Sequence, residues 1–196
     1  MRTAAWGFAC AALLTELAWL LFFDGSLGWI TATAVAIVAV HVGTLGRFRV
    51  VCVAVRAVLG LLLLGSVADR FGLLGAPGDD GVSWGSFAAF IDYTRTLLPT
   101  FVSRLTGGIA LAATVVEFVL GAALLIGVRP RVVAAATAGL LATFTLAMWA
   151  SLGFAAMSAY AVPVLLAGAA MVATGPARRA DERTSPTDPR VLPEPA

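Results

Sequence analysis

The sequence predicts an all-α membrane protein, a polytopic bundle of six transmembrane helices, and three observations lead to that prediction. First, hydrophobic residues make up 60% of the 196 residues and charged residues only 12%, with a mean hydropathy of +0.96. A soluble domain of this length needs far more charge on its surface. Second, six stretches reach the length of about 20 apolar residues that a bilayer requires. Third, the arginines are concentrated in alternate connections, which predicts an orientation.

The predicted spans are Thr3–Phe23, Leu27–Leu45, Val50–Ala68, Thr106–Val128, Val132–Ser151 and Phe154–Thr174. We expect the first to be a retained span and not a cleaved signal peptide, because its apolar run is too long for a signal-peptide core and contains Glu16. The last two are nearly continuous around Gly153, but together they are too long for one helix. Short polar or charged turns separate the other adjacent spans, apart from the third and fourth.

One sizeable loop, Asp69 to Leu105, separates the third and fourth spans. It opens with a turn-rich run from Gly72 to Gly85 and then shows apolar residues at helical spacing, followed by Pro99. That pattern predicts an amphipathic helix lying in the membrane interface. Its apolar residues are Trp84, Phe87, Phe90, Ile91, Thr94, Leu97 and Leu98, with Asp92 and Arg95 on the opposite side. The Pro-rich, charged segment 175–196 is predicted to be disordered.

The arginines outside the spans divide unevenly between the two sides. One side carries Arg2, Arg47, Arg49, Arg129, Arg131 and the arginines after Gly175. The other carries Arg70, Arg95 and Arg104 together with Asp24, Asp69, Asp79, Asp80 and Asp92. The positive-inside rule therefore predicts a plasma-membrane protein with both termini in the cytoplasm. Three tryptophans then lie at the outer boundary as an aromatic belt: Trp29, Trp84 and Trp149.

Four titratable residues fall inside the predicted spans: Glu16, His41, Arg56 and Glu117. Each costs a few kcal/mol in hydrocarbon, roughly, and should face protein or water. At about 1.5 Å of rise per residue, Arg56 lies ~10 Å and Glu117 ~16 Å from the cytoplasmic boundary. That difference is within side-chain reach, so a buried Arg56–Glu117 pair is predicted. The pair either fastens two helices or lines a pocket for a quinone ring or lipid headgroup.

Small residues surround this predicted pair. Those that share a helical face with Glu117 are Gly107, Ala110, Thr114 and Gly121, and those that share one with Arg56 are Cys52 and Gly60. Such seams let two membrane helices approach closely. Glu16, on a face with Ala12 and Trp19, and His41, near Arg56 in depth, are secondary polar candidates, as is Thr114. A proton relay through Glu16, Glu117 and His41 is an open alternative that their spacing does not favour.

Other site classes find little support in the sequence. The net charge of +2 is nearly neutral, so nucleic acid is not an expected partner. A single histidine and the absence of CxxC make a metal site unexpected. Cys10 and Cys52 are predicted to remain reduced, because both lie near cytoplasmic ends of spans. A transporter needs helices broken near the membrane midplane, and Pro163 is the one candidate break. Catalysis, if any, is expected from a bound cofactor or a partner subunit.

Several runs resemble the DoxX family of small bacterial membrane proteins. The most recognisable is Ala113–Gly127 followed by Arg129-Pro-Arg131: an intramembrane Glu, a Gly four residues later, then Leu-Leu-x-Gly and a basic turn. The other resembling segments are Arg56–Gly65, Phe87–Thr94 with Pro99, Leu141–Met148 and Tyr160. The resemblance covers about Val50 to Thr174. Where many relatives have a basic residue after the fifth span, this chain has Gly153–Ala156.

The resemblance implies a four-helix membrane core over residues 47–174, preceded by two additional helices in residues 1–46. Some family members are similar to the small subunit of a thiosulfate:quinone oxidoreductase, and others are implicated in redox or oxidative-stress complexes. It therefore implies an accessory or quinone-interacting subunit of a membrane redox system, with Arg56 and Glu117 as candidate site residues. Expected partners are a soluble oxidoreductase, another membrane subunit or a second copy of the chain. A non-enzymatic scaffold or assembly factor is the alternative, and a small transporter the third.

Overall fold

The computed structural model describes residues 2–175, and within that range every regular element is helical. The fold class is therefore all-α, as the composition predicts. Four helices are long and apolar enough to cross a membrane: Thr3–Phe22, Arg49–Arg70, Thr100–Ile126 and Pro130–Leu152. Two further apolar helices, Trp29–Gly43 and Val162–Thr174, are shorter. The predicted disordered segment, apart from Gly175, lies outside the described residues.

The elements are α1 (Arg2–Phe22), α2 (Trp29–Gly43), α3 (Arg49–Arg70), α4 (Phe87–Leu97), a 3-10 helix (Thr100–Leu105), α5 (Thr106–Ile126), α6 (Pro130–Leu152), α7 (Phe154–Ala159) and α8 (Val162–Thr174). Each of the first five predicted spans contains one helix (α1, α2, α3, α5 or α6), and the last is divided into α7 and α8. The boundary that matters most is the end of α3, which continues through Asp69 and Arg70 instead of stopping at Ala68. Both charged residues are therefore helical and not part of the loop.

The long helical segments run back and forth between two ends of one bundle. A single cleft at one end is bordered by residues from the termini of six segments: Thr3, Gly46, Arg49, Gly127, Pro130 and Gly175. We call this the arginine end, because Arg47, Arg49, Arg129 and Arg131 border the same cleft. The opposite end, which we call the loop end, carries residues 71–105 and the turns after α1 and α6. The chain thus makes six passes through the bundle: α1, α2, α3, α5, α6 and the α7–α8 pair.

Helix α8 lies at the centre of this bundle. It packs against α1, α2, α3 and α6, and its contact with α6 is the most extensive in the described structure. Val164, Ala167 and Ala169 on α8 are fully buried. Gly168 allows α2 to approach closely, because a Cβ at that position would lie 2.9 Å from Val38. Helices α1 and α2 therefore both pack against α8. The division into an N-terminal addition and a four-helix core stays a prediction.

The sixth pass is interrupted between α7 and α8. Tyr160 and Ala161 leave the helical conformation, and Ala161 adopts a left-handed φ of 48°. Pro163 lies in the first turn of α8, where its missing N–H is not needed. The helix is interrupted at the two residues before Val162 and Pro163, so the position of the proline in the sequence indicates the position of the interruption. Because α7 has 6 residues and α8 has 13, the break lies nearer the loop end than the middle of the bundle.

The connection at the loop end contains α4, which covers most of the residues for which the sequence predicts an amphipathic helix. Ser86 caps this helix by accepting a hydrogen bond from the backbone N–H of Ala89 at 3.2 Å. Phe90 is buried on one face, whereas Asp92 and Arg95 are exposed and form a 2.8 Å ion pair. The helix therefore has one buried and one exposed face, and the amphipathic interfacial helix stays a prediction.

The outside of the bundle is apolar, which is the reverse of a soluble protein. Leu14 on α1 is 66% exposed, Leu61 on α3 61% and Leu146 on α6 61%. Apolar side chains exposed along whole helices would promote aggregation in water, and they match a lipid environment. Polar side chains such as Glu16 and Thr114 are instead buried between helices. Together with the four long apolar helices, this surface identifies a membrane protein.

Candidate functional site

A buried ion pair connects α3 and α5. Nη2 of Arg70 donates to both carboxylate oxygens of Glu117, at 2.7 and 2.8 Å. The two side chains are 2% and 1% exposed, so solvent reaches neither. Two hydroxyl groups also accept from the guanidinium: Nη1 donates to Oγ1 of Thr114 at 2.8 Å, and Nη2 donates to Oγ of Ser66 at 3.0 Å, whereas Nε has no hydrogen-bond partner in the described structure. Hydrogen bonds between a guanidinium and a carboxylate belong to the strong class.

Thr114, one of the secondary candidates, belongs to this cluster. Its hydroxyl accepts from Arg70 and donates to the backbone carbonyl of Ala110 at 2.8 Å. Both the donor and an acceptor position of the hydroxyl are therefore used inside the protein. The side chain orients the guanidinium and has no free donor for a ligand.

Two aromatic rings cover the guanidinium of Arg70. Its Cζ lies 3.6 Å from the ring centroid of Phe90 and 5.1 Å from that of Trp84. Such cation–π contacts contribute about 0.5–2 kcal/mol, with the larger values in desolvated sites. Trp84 and Phe90 also contact each other edge to face, with centroids 5.2 Å apart. Because Trp84 lies in the loop and Phe90 in α4, these contacts close the loop end over the ion pair.

Asp69, the residue before Arg70, fixes the backbone of the same loop. Its buried carboxylate accepts backbone N–H groups of Ser83, Trp84 and Gly85 at 3.1, 3.0 and 3.2 Å. Gly85 has a φ of +64°, and a side chain there would collide with the backbone of residues 76 and 77. Asp69 therefore holds the loop, and the next residue, Arg70, holds the buried carboxylate of Glu117. We call the whole arrangement the latch; it consists of Ser66, Asp69, Arg70, Trp84, Phe90, Thr114 and Glu117.

The predicted Arg56–Glu117 pair is wrong, because the partner of Glu117 is Arg70. The depth estimate used backbone rise alone, whereas helical side chains lean toward the N-terminus of their own helix. Helix α3 runs toward the loop end, so Arg56 leans away from it, toward the arginine end. Glu117, on the antiparallel α5, leans toward the loop end. Arg70 leans from the loop end back into the bundle, and there it meets Glu117.

Arg56 instead contacts the C-terminal turn of α5. Its Nε donates to the backbone carbonyl of Leu124 at 3.2 Å. Its guanidinium lies against Gly127, where a Cβ would come 2.7 Å from Nη2. Gly127 ends α5 in a left-handed conformation with φ of 82°, so glycine serves both the turn and the close contact. A cation is favourable at a helix C-terminus, where carbonyl groups point outward.

His41 and Arg56 border the same cleft at the arginine end. The cleft has a volume of about 1290 Å³. His41 is 2% exposed, and its Nδ1 has no hydrogen-bond partner among the described residues. Its ring packs against Gly46, whose φ of +64° brings the backbone close. Both this region and the latch therefore contain a buried polar atom without a described hydrogen-bond partner, Nδ1 of His41 here and Nε of Arg70 there.

Glu16 lies on the predicted face of α1, and Ala12, Glu16 and Trp19 are all buried. One of its oxygens, Oε1, has no hydrogen-bond partner in the described structure, and the same is true of Oγ of Ser158 beside the α7–α8 break. No hydrogen bond between described side chains links Glu16, His41 and Glu117. The proton-relay alternative therefore gains no support from the geometry.

A close helix–helix contact lies between the latch and the arginine end. A Cβ at Gly60 would lie 2.9 Å from the carbonyl oxygen of Gly121, and a Cβ at Gly121 would lie 3.0 Å from that of Gly60. The two glycines therefore let α3 and α5 meet backbone to backbone. Gly107, which the sequence assigns to the same seam, is exposed, and Thr106 is buried in its place.

An apolar groove of about 470 Å³ runs along α3 and α5 beside the latch. Its lining residues are Leu64, Val67, Ala68, Phe71, Leu73, Leu111, Thr114, Val115 and Phe118. Thr114 belongs to both the groove and the latch. The side chains of Leu111 and Phe118 are exposed, so the groove lies on the apolar outer surface of the bundle.

Within residues 2–175, no group of three or more His, Cys, Asp or Glu side chains could hold a metal ion. Cys10 on α1 and Cys52 on α3 are both free thiols. No protein-family model matches the chain, and neither a curated protein nor a solved structure is detectably similar to it. The resemblance to the DoxX family therefore stays a prediction, and the function has to be inferred from the geometry.

Proposed function

We propose that this chain is an accessory subunit of a membrane assembly, which presents a rigid surface to a partner protein and carries out no reaction of its own. The closure of the latch is the observation that carries this proposal. Arg70 and Glu117 neutralise each other, two aromatic rings cover them, and both are almost fully buried. A charged group that acts on a substrate must be accessible to it. These groups instead fasten the loop end to α3 and α5.

The latch gives the loop end a fixed shape, and that end is suited to a partner. Asp69 holds the loop through backbone hydrogen bonds, and Arg70 contacts Phe90 of α4. Phe101 and Leu73 project from the same end and are 85% and 76% exposed. A buried ionic cluster adds little net stability over an apolar core, and its attested use is to specify one arrangement. The family resemblance supports a redox system as the assembly, with an oxidoreductase or another membrane subunit as the partner.

The proposal places the chain across the bilayer six times, with both termini on the cytoplasmic side and α4 in the outer interface. The six passes of the bundle and the arginines at the ends of alternate helices support this topology. Helix α2 has only 15 residues, so its flanking turns complete the crossing. Trp29 and Trp149 lie toward the loop end, as expected for an outer aromatic belt.

Phe101 offers a direct test, with Phe48 as the matched control. Phe48 is 61% exposed at the arginine end, so the two Phe→Ser variants make the same change at opposite ends. The tagged full-length chain is expressed in a deletion strain of its host and purified in mild detergent. We expect a second protein at constant stoichiometry whose cellular level falls in the deletion strain and in the Phe101→Ser strain. A chain that purifies alone with no change in any other membrane protein, or equal effects of both substitutions, would refute the proposal.

The apolar groove favours a second candidate, a quinone-interacting subunit. A groove of this volume accommodates an isoprenoid or acyl tail, and Thr114 places it next to the latch. Leu111→Trp fills the groove, and Leu146→Trp, on the exposed face of α6, is the control. Mass spectrometry of organic extracts of the purified chain should find quinone with wild type and the control, and less with Leu111→Trp. Equal amounts in all three, or no quinone with wild type, would exclude this candidate.

A further inference from the structure

The cleft at the arginine end has a wall whose charged side chains are all cationic. The arginines that border it are Arg47, Arg49, Arg56, Arg129 and Arg131. No Asp or Glu borders the cleft within the part of the chain that the structure describes. A cleft lined by one sign of charge concentrates ions of the opposite sign. Such a wall is stabilised when an anion enters.

The positive-inside rule accounts for arginines in the turns at this end but not for Arg56. That residue lies about 10 Å inside α3, at the rise of a helix, and the rule counts residues in loops and near the ends of spans. The two ion pairs of residues 2–175 involve Arg70 and Arg95, and neither is at the arginine end. Arg56 uses its Nε for the carbonyl of Leu124, and its Nη groups have no acceptor in the described structure. Arg56 is half-buried, and a cation that is partly withdrawn from water without a counter-charge is costly.

His41 is a second, independent indication of a ligand. It borders the cleft, is 2% exposed and keeps Nδ1 without a partner. Buried polar atoms are almost always hydrogen-bonded, because an unmade bond costs about 1–3 kcal/mol. A neutral imidazole with its proton on Nδ1 donates one hydrogen bond. An oxyanion in the cleft would accept hydrogen bonds from the Arg56 guanidinium, and a turn of the His41 ring toward the cleft would let it accept that bond as well.

We propose that this cleft binds a phosphate group, with Arg56 and His41 as the deep contacts and the arginines of the turns at the mouth. The planar fork of an arginine matches phosphate oxygens bidentately, and several arginines exceed what one carboxylate would need. Arg131 already donates to the backbone carbonyl of Gly175, so it helps shape the mouth. The phosphate belongs either to the headgroup of an anionic phospholipid or to a soluble phosphate compound. Both sources present the same oxygens.

The test uses the full-length protein, purified and reconstituted so that membrane insertion does not enter the comparison. Native mass spectrometry measures retention of phosphatidylglycerol against phosphatidylcholine, and inorganic pyrophosphate is the soluble probe in a thermal-shift titration. Arg56→Gln should weaken binding of the preferred probe about tenfold, the equivalent of one charge-assisted hydrogen bond. His41→Phe should weaken it about two- to tenfold. Arg104→Gln, the same charge change in the loop-end connection, should leave binding unchanged.

The two arms separate the sources of the phosphate. Selective retention of phosphatidylglycerol that pyrophosphate does not displace identifies a lipid headgroup, whereas a pyrophosphate-dependent shift without lipid selectivity identifies a soluble ligand. Arg49→Gln at the mouth repeats the comparison if Arg56→Gln does not yield folded protein. The proposal is overturned if neither probe binds, or if Arg104→Gln matches the loss in the cleft variants.

Discussion

The two ends of the bundle place arginines in opposite surroundings. Near the loop end, Arg70 meets a carboxylate, two hydroxyl groups and two aromatic rings, and it is 2% exposed. At the arginine end, Arg56 borders an open cleft with four other arginines and no described carboxylate. An arginine that is paired with a carboxylate can be buried and hold two helices together. An arginine without a counter-charge requires water, a lipid headgroup or a ligand. The surroundings of an arginine, and not its depth, therefore distinguish the structural end from the binding end.

The largest expected effect comes from breaking the ion pair of the latch. Arg70→Leu or Glu117→Leu leaves one buried charge without its partner, which costs about 3–5 kcal/mol. The Arg70→Leu, Glu117→Leu double variant removes both charges, so it should be more stable than the sum of the two single losses predicts. The free energy of unfolding in mixed detergent micelles, followed by circular dichroism, measures all three.

Arg56→Leu is the matched control, because it makes the same change on the same helix at the other end. It loses one hydrogen bond to a backbone carbonyl but also removes a cation that has no counter-charge, so we expect a net cost of about 1.5 kcal/mol or less. Strictly additive losses in the latch variants would show that Arg70 and Glu117 do not act as a pair. A larger loss for Arg56→Leu than for Arg70→Leu would reverse the contrast between the two ends.

The second-largest expected loss of stability comes from disturbing the close contact between α3 and α5. Gly60→Ala places a methyl group 2.9 Å from the carbonyl oxygen of Gly121, and overpacking of this kind costs about 1–3 kcal/mol. Gly65→Ala, in the same helix, meets nothing within 4 Å and should be neutral or slightly stabilising. Thermal unfolding of both variants in the same detergent checks the difference. Equal unfolding temperatures would mean that the two helices are not in backbone contact.

Asp69→Asn tests whether the latch holds the loop. The substitution removes the charge that accepts three backbone N–H groups, at a cost of about 1–3 kcal/mol. Asp92→Asn, which disturbs the exposed pair with Arg95, should cost less than about 1 kcal/mol. Limited proteolysis should cut Asp69→Asn faster within residues 71–86 and leave Asp92→Asn at the wild-type rate. Unchanged cleavage of Asp69→Asn would show that the carboxylate does not restrain the loop.

The sequence predicts the parts of this molecule that local periodicity encodes. Apolar runs locate the helices, and spacing along α1 places Ala12, Glu16 and Trp19 on one buried face. The latch could not be predicted this way, because Asp69 binds backbone groups 14 to 16 residues later, across a loop without a period. Arg70 lies two residues beyond the predicted end of the third span, so the sequence places it in that loop. The direction in which helical side chains lean is a general rule, and applying it would have excluded Arg56 as the partner of Glu117.

The smallest expected effect is the response of the loop end to alkaline pH, through Tyr93 on α4. Burial raises the pKa of Tyr93 to about 12, and the nearby Tyr160 adds to the increase. The folded state therefore favours the protonated phenol, and the stability that this provides below pH ~10 is lost as the pH rises toward 12. Tyr93 contacts Trp84 at a centroid distance of 5.9 Å, so its ionisation should loosen α4 over the latch.

Ultraviolet absorbance of tyrosinate measures this ionisation directly, because the chain has only two tyrosines. In Tyr160→Phe the remaining transition belongs to Tyr93, and its midpoint should lie above the ordinary pKa of about 10 but slightly below the wild-type value. Tyr93→Phe should abolish the late transition and keep α4 in place to higher pH. An ordinary midpoint in Tyr160→Phe, with the tryptophan fluorescence still native, would show that Tyr93 is solvated and that α4 does not close the loop end. The open and closed ends would then differ only in charge compensation, and not in their access to water.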